Sequence, residues 1–323
     1  MPKRRALAIA ALMLGLAPGT FVRTHVPDRQ AQVLAIAPVD DLPEAKAIGG
    51  FTREGVWQLA SPNIDFGGYS ALVTLGPGED LVAWSDRGMR MAFARPGSGD
   101  EGRVRFDRVD DRGPLSSAFP DIEAAMRDPA SGRTWLALEN ANAVLRYDAA
   151  SRFEAARRPP EWTEWGSNAG PEAMERLADG RFIVLPEARA TGLLFSGDPT
   201  EEGAAQSFAV SIPHDYDATD LAALPDGRVL VLLRKLALGY PPFTAALGIA
   251  DPAELERGDA LMVRLLVDLD ALVPPENWEG LASESRGDGR IDLWLIADDN
   301  SASFQRTLLA KLVLDPRTLP AAQ

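Results

Sequence analysis

The chain has 323 residues, 46% of them apolar and 25% charged, enough to bury one large core or two ordinary ones and unlike a disordered polymer. Its formal net charge of −14 offers no basic surface to neutralise phosphates, which speaks against sequence-independent binding to nucleic acid. The absence of cysteine excludes disulfides, thiolate metal sites, a cysteine nucleophile and a lipoprotein anchor, while 28 glycines and 25 prolines imply many tight turns.

The first segment, "MPKRRALAIAALMLGLAPG", has a basic start at Lys3, Arg4 and Arg5, an apolar run and then small residues around Ala17. That is the form of a secretory signal, with a core short for a spanning helix. Cleavage after Ala17 would leave Pro18 next in the chain, an awkward product. Residues 1–20 are therefore read as a signal peptide or an uncleaved N-terminal anchor, and the protein as exported and periplasmic. No later segment is long and apolar enough to span a membrane. Residues 21–44 read as a linker with a closing strand, and residues 45–318 as one domain. "AQVLAIAP" and "GVWQLAS", within 31–60, have the composition of strands that complete a sheet begun elsewhere.

Five similar units follow. They are "SALVTLGPGEDLVAWSDR" (70–87), "EAAMRDPASGRTWLALEN" (123–140), "EAMERLADGRFIVLPEA" (172–188), "DLAALPDGRVLVLLRK" (220–235) and "GLASESRGDGRIDLWLIADDN" (280–300). Each is an apolar run, a turn containing Gly and a second apolar run, the signature of a β-hairpin. Starting at Ser70, Glu123, Glu172, Asp220 and Glu279, they step by 53, 49, 48 and 59 residues. Further strand-like runs follow each hairpin, such as "MRMAFARP" (89–96), "TGLLFSG" (191–197), "ALMVRLLVDL" (260–269) and "TLLAKLVLD" (307–315). Residues 237–258, which hold the one convincing short helix, "DPAELERG", read as an insertion. A repeat of about 50 residues with three or four antiparallel strands is the period of a propeller blade. A β-sandwich would need no fixed period. The expected fold is all-β, a five- or six-bladed β-propeller closed by an N-terminal strand.

In an antiparallel hairpin the start of the first strand lies beside the end of the second. The first strand of every blade lines the central channel, so these ends gather at one mouth. Pairing them sets Ser70 beside Asp86 and Arg87, Glu123 beside Glu139 and Asn140, and Glu172 beside Glu187. Asp220 falls beside Arg234 and Lys235, and Glu279 beside Asp298, Asp299 and Asn300. Asp121, Asn168, Asp217 and Asn277 stand just ahead of the strands. Two carboxylates roughly 6 Å apart at an effective dielectric near 20 repel by about 3 kcal/mol. Such a ring must raise its own pKa values, pair with Arg and Lys, or hold a cation. All-oxygen ligation by Glu123, Glu172, Asp220, Glu279, Asp298 and Asp299 favours a divalent cation such as Ca²⁺ over zinc. Arg87, Arg234 and Arg306 beside it would receive an anion. The bland alternative is that acids at strand ends only satisfy backbone N–H groups.

Other chemistry is poorly represented. "GGYSAL" lacks the second glycine of a nucleophile elbow, His25 and His214 are the only histidines, and there is no P-loop, dinucleotide fingerprint, H-E-x-x-H or EF-hand. Trp57, Trp84, Trp135, Trp278 and Trp294 are expected to pack blade against blade.

Five blocks, "FGGYSAL…LVAWSDRG", "DIEAAM…TWLALENANAVLRY", "NAGPEAM", "DLAALPDGRVLVLLRK" and "NWEGLA…LWLIADDNSASFQRTLLAKLVL", make residues 45–315 resemble the family called esterase-like activity of phytase. The resemblance implies an exported bacterial propeller with esterase or phosphoesterase activity. By position it places the family's recurring polar residues on Ser70, Asp86, Arg87, Glu123, Glu172, Asp220, Arg234, Glu279, Asp298, Asp299 and Asn300. Departures are Ala71 and Ala124 where glycine is usual, and "LPEA" where a Ser-Glu pair is. The expected function is hydrolysis of a small anionic phosphate or carboxylate ester, with Glu123, Glu172, Glu279, Arg87 and Arg234 catalytic. Ser70, Asp86, Glu139, Glu187, Asn300 and Arg306 complete the mouth. The alternative is a non-catalytic propeller of the cell envelope that binds a cation or partner.

Overall fold

Apolar runs rich in Val, Ile, Leu and Trp favour extended strands, and the Gly-containing turns between them let each strand return beside the last. The computed structural model describes residues 28–116, 120–165, 170–186, 191–237, 242–258, 260–300 and 305–321. The expected signal or anchor at 1–20 and the mouth residue Glu187 lie outside them.

The strands run in chain order. β1 (Ala35–Pro38), β2 (Ala47–Ile48) and β3 (Phe51–Ala60) come first. One sheet is β4 (Tyr69–Thr74), β5 (Leu81–Ser85), β6 (Met89–Phe93) and β7 (Val104–Arg108). The next is β8 (Ile122–Arg127), β9 (Thr134–Leu138), β10 (Ala143–Tyr147) and β11 (Phe153–Arg157). The third is β12 (Pro171–Arg176), β13 (Phe182–Pro186), β14 (Thr191–Phe195) and β15 (Ala205–Ser211). Then follow β16 (Asp217–Ala223), β17 (Val229–Leu236), β18 (Phe243–Ala250), a short helix α1 (Ala253–Glu256), β19 (Leu261–Met262) and β20 (Arg264–Asp268). β16, β17, β18 and β20 form the fourth sheet, while β19 adds a parallel edge to β15. The last strands are β21 (Asn277–Ser285), β22 (Ile291–Asp298) and β23 (Leu308–Leu314).

The fold is a five-bladed propeller. The inner strands β4, β8, β12, β16 and β21 pack in a closed ring, each against the next. Blade five is composite, ordered β1-β3-β23-β22-β21, so N-terminal strands supply its outer part as expected. Phe51 pairs with Leu314 and Gln58 with Leu308 across that junction. Each of the five apolar clusters lies between two neighbouring blades. The tryptophans serve those layers: Trp84, Trp135, Trp278 and Trp294 are all buried there, and Trp57 stacks on Trp294 with centroids 6.2 Å apart.

The stretch 237–258 differs from its reading as an insertion. Phe243–Ala250 is the third strand of blade four, paired along its full length with β17. The prolines ahead of it disguise a strand whose apolar run, "TAALGIA", is buried from Ala245 onward.

Close approach of the inner strands needs small side chains. Ala71, Ala124, Ala173 and Gly280 occupy one register position in four blades, each opposite the outward neighbour strand just after a register shift. At Gly280 a Cβ would lie 2.9 Å from Leu72 N and 3.0 Å from the Ala71 carbonyl carbon. That is backbone of blade one, which cannot turn away. Gly280→Ala is therefore expected to lower stability by about 1–3 kcal/mol through overpacking, read as a lower denaturant midpoint at unchanged slope, whereas Gly287→Ala, in open space and without positive φ, should leave the midpoint nearly unchanged.

Candidate active site at the channel mouth

Every inner hairpin carries the same irregularity. The register between inner strand and partner slips at Ser70, Glu123, Glu172, Thr219 and Glu279, each left without an opposite residue. Such a β-bulge sets two residues against one, kinks the strand and re-aims the extra side chain. Five equivalent bulges on a closed ring of strands bring five extra residues to one end of the channel. Three are glutamates and two are hydroxyl residues.

The repeat alignment set Asp220 in this series, but the register places Thr219 there and Asp220 one step on, level with Ala71, Ala124, Ala173 and Gly280. A one-residue slip changes a side chain's direction entirely. Asp220 is buried and its carboxylate accepts from Leu221 N at 2.8 Å and Leu281 N at 2.6 Å, tying blade four to blade five. The two hydroxyls act alike. Ser70 Oγ donates to Ile122 O at 2.6 Å, and Thr219 Oγ1 to Trp278 O at 3.3 Å. Each acceptor immediately precedes the next blade's bulged glutamate.

The acids form a coupled group. Burial, reinforced by the charges of Glu172, Glu279, Asp121 and Glu139, holds Glu123 well above the usual carboxylate range. Burial likewise pushes Asp298 up to about 8, with Glu279, Asp299 and Asp86 adding to the effect. Asp86 and Asp121 are raised by burial as well. Asp121, Glu123 and Glu139 each bring a carboxylate oxygen within 4.8 Å of the others, so these three could hold a metal ion. The all-oxygen, carboxylate-rich set suits a hard divalent cation.

Neighbouring groups hold the ring in place. Arg234 Nη1 donates to Glu279 Oε1 and, at 3.2 Å, to Asn277 Oδ1, while Asn277 Nδ2 donates to Glu279 Oε1 at 2.8 Å. Arg87 lies 3.4 Å from Asp86 and donates to Gly67 O at 3.2 Å. Asp299 accepts from Gly68 N at 3.1 Å and from Thr307 Oγ1 at 3.0 Å. Gly67 and Gly68 have positive φ, and a Cβ on them would strike the carboxylates of Asp299 and Asp86 respectively. Asp298 accepts from Asn300 N at 2.8 Å. Arg306 is drawn to Glu276 at 2.6 Å rather than to the ring.

The structure thus gathers Glu123, Glu172, Glu279, Glu139, Asp298, Asp299, Asp86, Arg87 and Arg234 around one mouth with Ser70. Thr219, Glu276 and the Gly67–Gly68 pair were not singled out in the sequence. Only "GGYSAL", which falls short of a nucleophile elbow, and the family block "FGGYSAL" contain the glycines.

A family model, Phytase-like, described as "Esterase-like activity of phytase", matches residues 64–301. Among solved structures, a gluconolactonase from Xanthomonas campestris is 12% identical, covering 88% of this chain and 100% of that one, with TM-score 0.49. Virginiamycin B lyase from Staphylococcus aureus is 11% identical, covering 90% of this chain and 83% of that one, with TM-score 0.40. The β-propeller domain of Cps50 (Swd1) from Myceliophteria thermophila is 14% identical over 80% of this chain and 71% of that one, also at 0.40. No curated protein matched.

The buried acids set a pH dependence. Asp298 has a folded pKa of about 8 against 3.8 ordinarily, and Glu123 moves the same way. A carboxyl raised on folding contributes stability that is complete below its unfolded pKa and is lost as pH climbs through the folded value. In chelator, the thermal midpoint should fall between pH 5 and pH 8, and Asp298→Asn should flatten that fall; a midpoint that climbs over this range would contradict the assignment.

Proposed function

The chain belongs to the phytase-like family, and from that premise we propose that it is an exported hydrolase of a small phosphate or carboxylate ester, with a divalent cation, Ca²⁺, held at the channel mouth. The observation that carries this reading is the convergence of three bulged glutamates with Asp121, Glu139 and Asp298 on one end of the channel. Carboxylates so crowded that burial and mutual repulsion raise their pKa values are poised to exchange protons for a cation. Export rests on the basic and apolar pattern of residues 1–20.

Asp121, Glu123 and Glu139 would hold the cation, with Glu172 completing the set. When bound, it supplies positive charge that polarises an ester oxygen. The remaining roles fall to the chain. Arg87, its side chain 38% exposed, is the more accessible cation for the ester's anionic group; Arg234 is 19% exposed and already tied to Glu279. Asp298, whose pKa of about 8 lies near neutrality, is suited to take a proton from attacking water and return it to the leaving alcohol. Glu279, neutralised by Arg234, positions the mouth.

The second reading, a non-catalytic cation- or partner-binding propeller, is favoured by one observation: Asp299 and Glu279 are each held by neutral or cationic partners, as structural acids are. Elemental analysis and assays with p-nitrophenyl phosphate and p-nitrophenyl acetate separate the two. A hydrolase should turn over one of them with bound Ca²⁺, lose roughly 10²-fold or more in kcat when Asp298 becomes Asn, and show a raised KM in Arg87→Gln. Turnover unchanged by chelator and by Glu123→Gln would end the metal-hydrolase reading; bound Ca²⁺ without turnover would favour the binding one.

A further inference from the structure

Blade four departs from the others at the rim of the mouth. In blades one and two the chain turns back at once: Gly88 N donates to Ser85 O and Asn142 N to Glu139 O, each at 2.9 Å. Counting outward from the bulges sets Arg234 level with Asp86, Glu139 and Asp298. In blade four pairing continues past that level, through Lys235 with Thr244 and Leu236 with Phe243. Ala237 N then donates to Pro242 O at 2.7 Å. Among the described residues, the second and third strands of no other blade pair beyond it. Leu236 thus stands two residues, or roughly 7 Å, above the rim.

Side chains alternate along these two strands, and the apolar layers show which way each points. Leu230, Leu232, Ala245 and Leu247 belong to the layer between blades four and five, so Arg234, Leu236 and Phe243 fall in line with them. The Arg234 guanidinium agrees, bonding Glu279 and Asn277 of blade five and lying 5.8 Å from the centre of the Phe243 ring. Lys235 points the other way, its ammonium 5.4 Å from the centre of the Tyr216 ring. Leu236 sits directly opposite Phe243. It is 73% exposed, the highest value among the large apolar side chains described, while Phe243 is half-buried. The apolar layer therefore rises from the core, is interrupted by one guanidinium at the rim, and reappears in solvent above the acids.

We propose that Leu236 and Phe243 form a shelf that receives the apolar body of the ester, an aryl or branched alkyl group, and so set the substrate class. The inference rests on the hydrolase reading above. Arg234 makes the shelf continuous with the mouth, because one side chain touches both the Phe243 ring and Glu279. Two side chains offer far less than the roughly 800 Å² per partner that a stable protein interface buries, an extent that suits a small molecule. Covering Leu236 removes apolar surface from water, which is the gain that binding draws on. An uncharged shelf above crowded carboxylates gives no counter-ion to additional anionic groups. The favoured substrate is thus an ester with one acidic group and a hydrocarbon body, not a polyanionic one.

Calorimetric titration of the full chain in Ca²⁺ with two matched pairs of non-esters reads the shelf without turnover. The pairs are methylphosphonate against phenylphosphonate, and acetate against benzoate. In at least one pair the aryl member should bind about tenfold tighter, the gain from covering part of a ring. Leu236→Ser, at an exposed position where folding is not at stake, should cut that ratio to about threefold or less, and Phe243→Ala should do the same. Met262→Ser, also exposed but on the short edge strand β19, should leave the ratio unchanged. No binding at about 10 mM, no aryl preference in wild type, or a preference kept in both shelf variants overturns the proposal. So does a dimer, seen by light scattering, that Leu236→Ser dissociates, since the shelf then belongs to a second copy. Assays with p-nitrophenyl phosphate and acetate separate the two readings. Turnover without aryl preference removes the shelf and keeps the hydrolase, whereas aryl preference without turnover keeps the shelf and removes the hydrolase.

Discussion

A single extra residue at the start of each inner strand governs this molecule. Without the bulge, an inner strand would continue its two-residue alternation and send successive side chains only toward the neighbouring blades, where the five apolar layers lie. With it, one residue per blade is released from pairing. Ser70, Glu123, Glu172, Thr219 and Glu279 are those residues. The same kink leaves a carbonyl to be satisfied in the next strand, which Ser70 and Thr219 do directly for Ile122 and Trp278. Site and scaffold thus share one device.

The lower half of the channel follows from the same count. Past the bulge the strands resume strict register, so small residues recur at one level and the turn-proximal positions at another. Where most blades place Ala or Gly, blade four places Asp220, and it spans the gap to bond Leu281 N. The bulge level carries Glu123, Glu172 and Glu279, whereas the turn-proximal level carries Thr74, Arg127, Arg176, Ala223 and Ser283. The contrast rests on which residues occupy equivalent positions, not on any difference in backbone plan.

Much of this was legible in the chain. Hairpins separated by steps of 53, 49, 48 and 59 residues carry their own turn chemistry, and the closing N-terminal strands betray themselves by apolar runs with no hairpin of their own. Family resemblance over the same span agreed. The bulges were not legible, because an inserted residue in a strand leaves no compositional trace. That is why Asp220 stood where Thr219 belongs, and why its buried bonds to two N–H groups came only from the structure. Phe243–Ala250 was hidden for another reason: prolines just ahead of it mimic a loop, and only pairing with Val229–Leu236 reveals a strand. Glu276 lies outside the hairpin pattern, and only its bond to Arg306 shows that it holds that side chain away from the ring.

The composite fifth blade has a consequence for how the ring comes into being. Pairing of Phe51 with Leu314 joins residues made near the beginning and near the end of synthesis. Contacts so distant along the chain are slow to form, since loop closure must come first. Blades one to four can zip locally as they emerge, but β3 must wait, its apolar face uncovered, until β23 arrives. A latch of this kind makes completion of the chain the signal for closure, so a prematurely terminated product is left open and exposed to proteolysis.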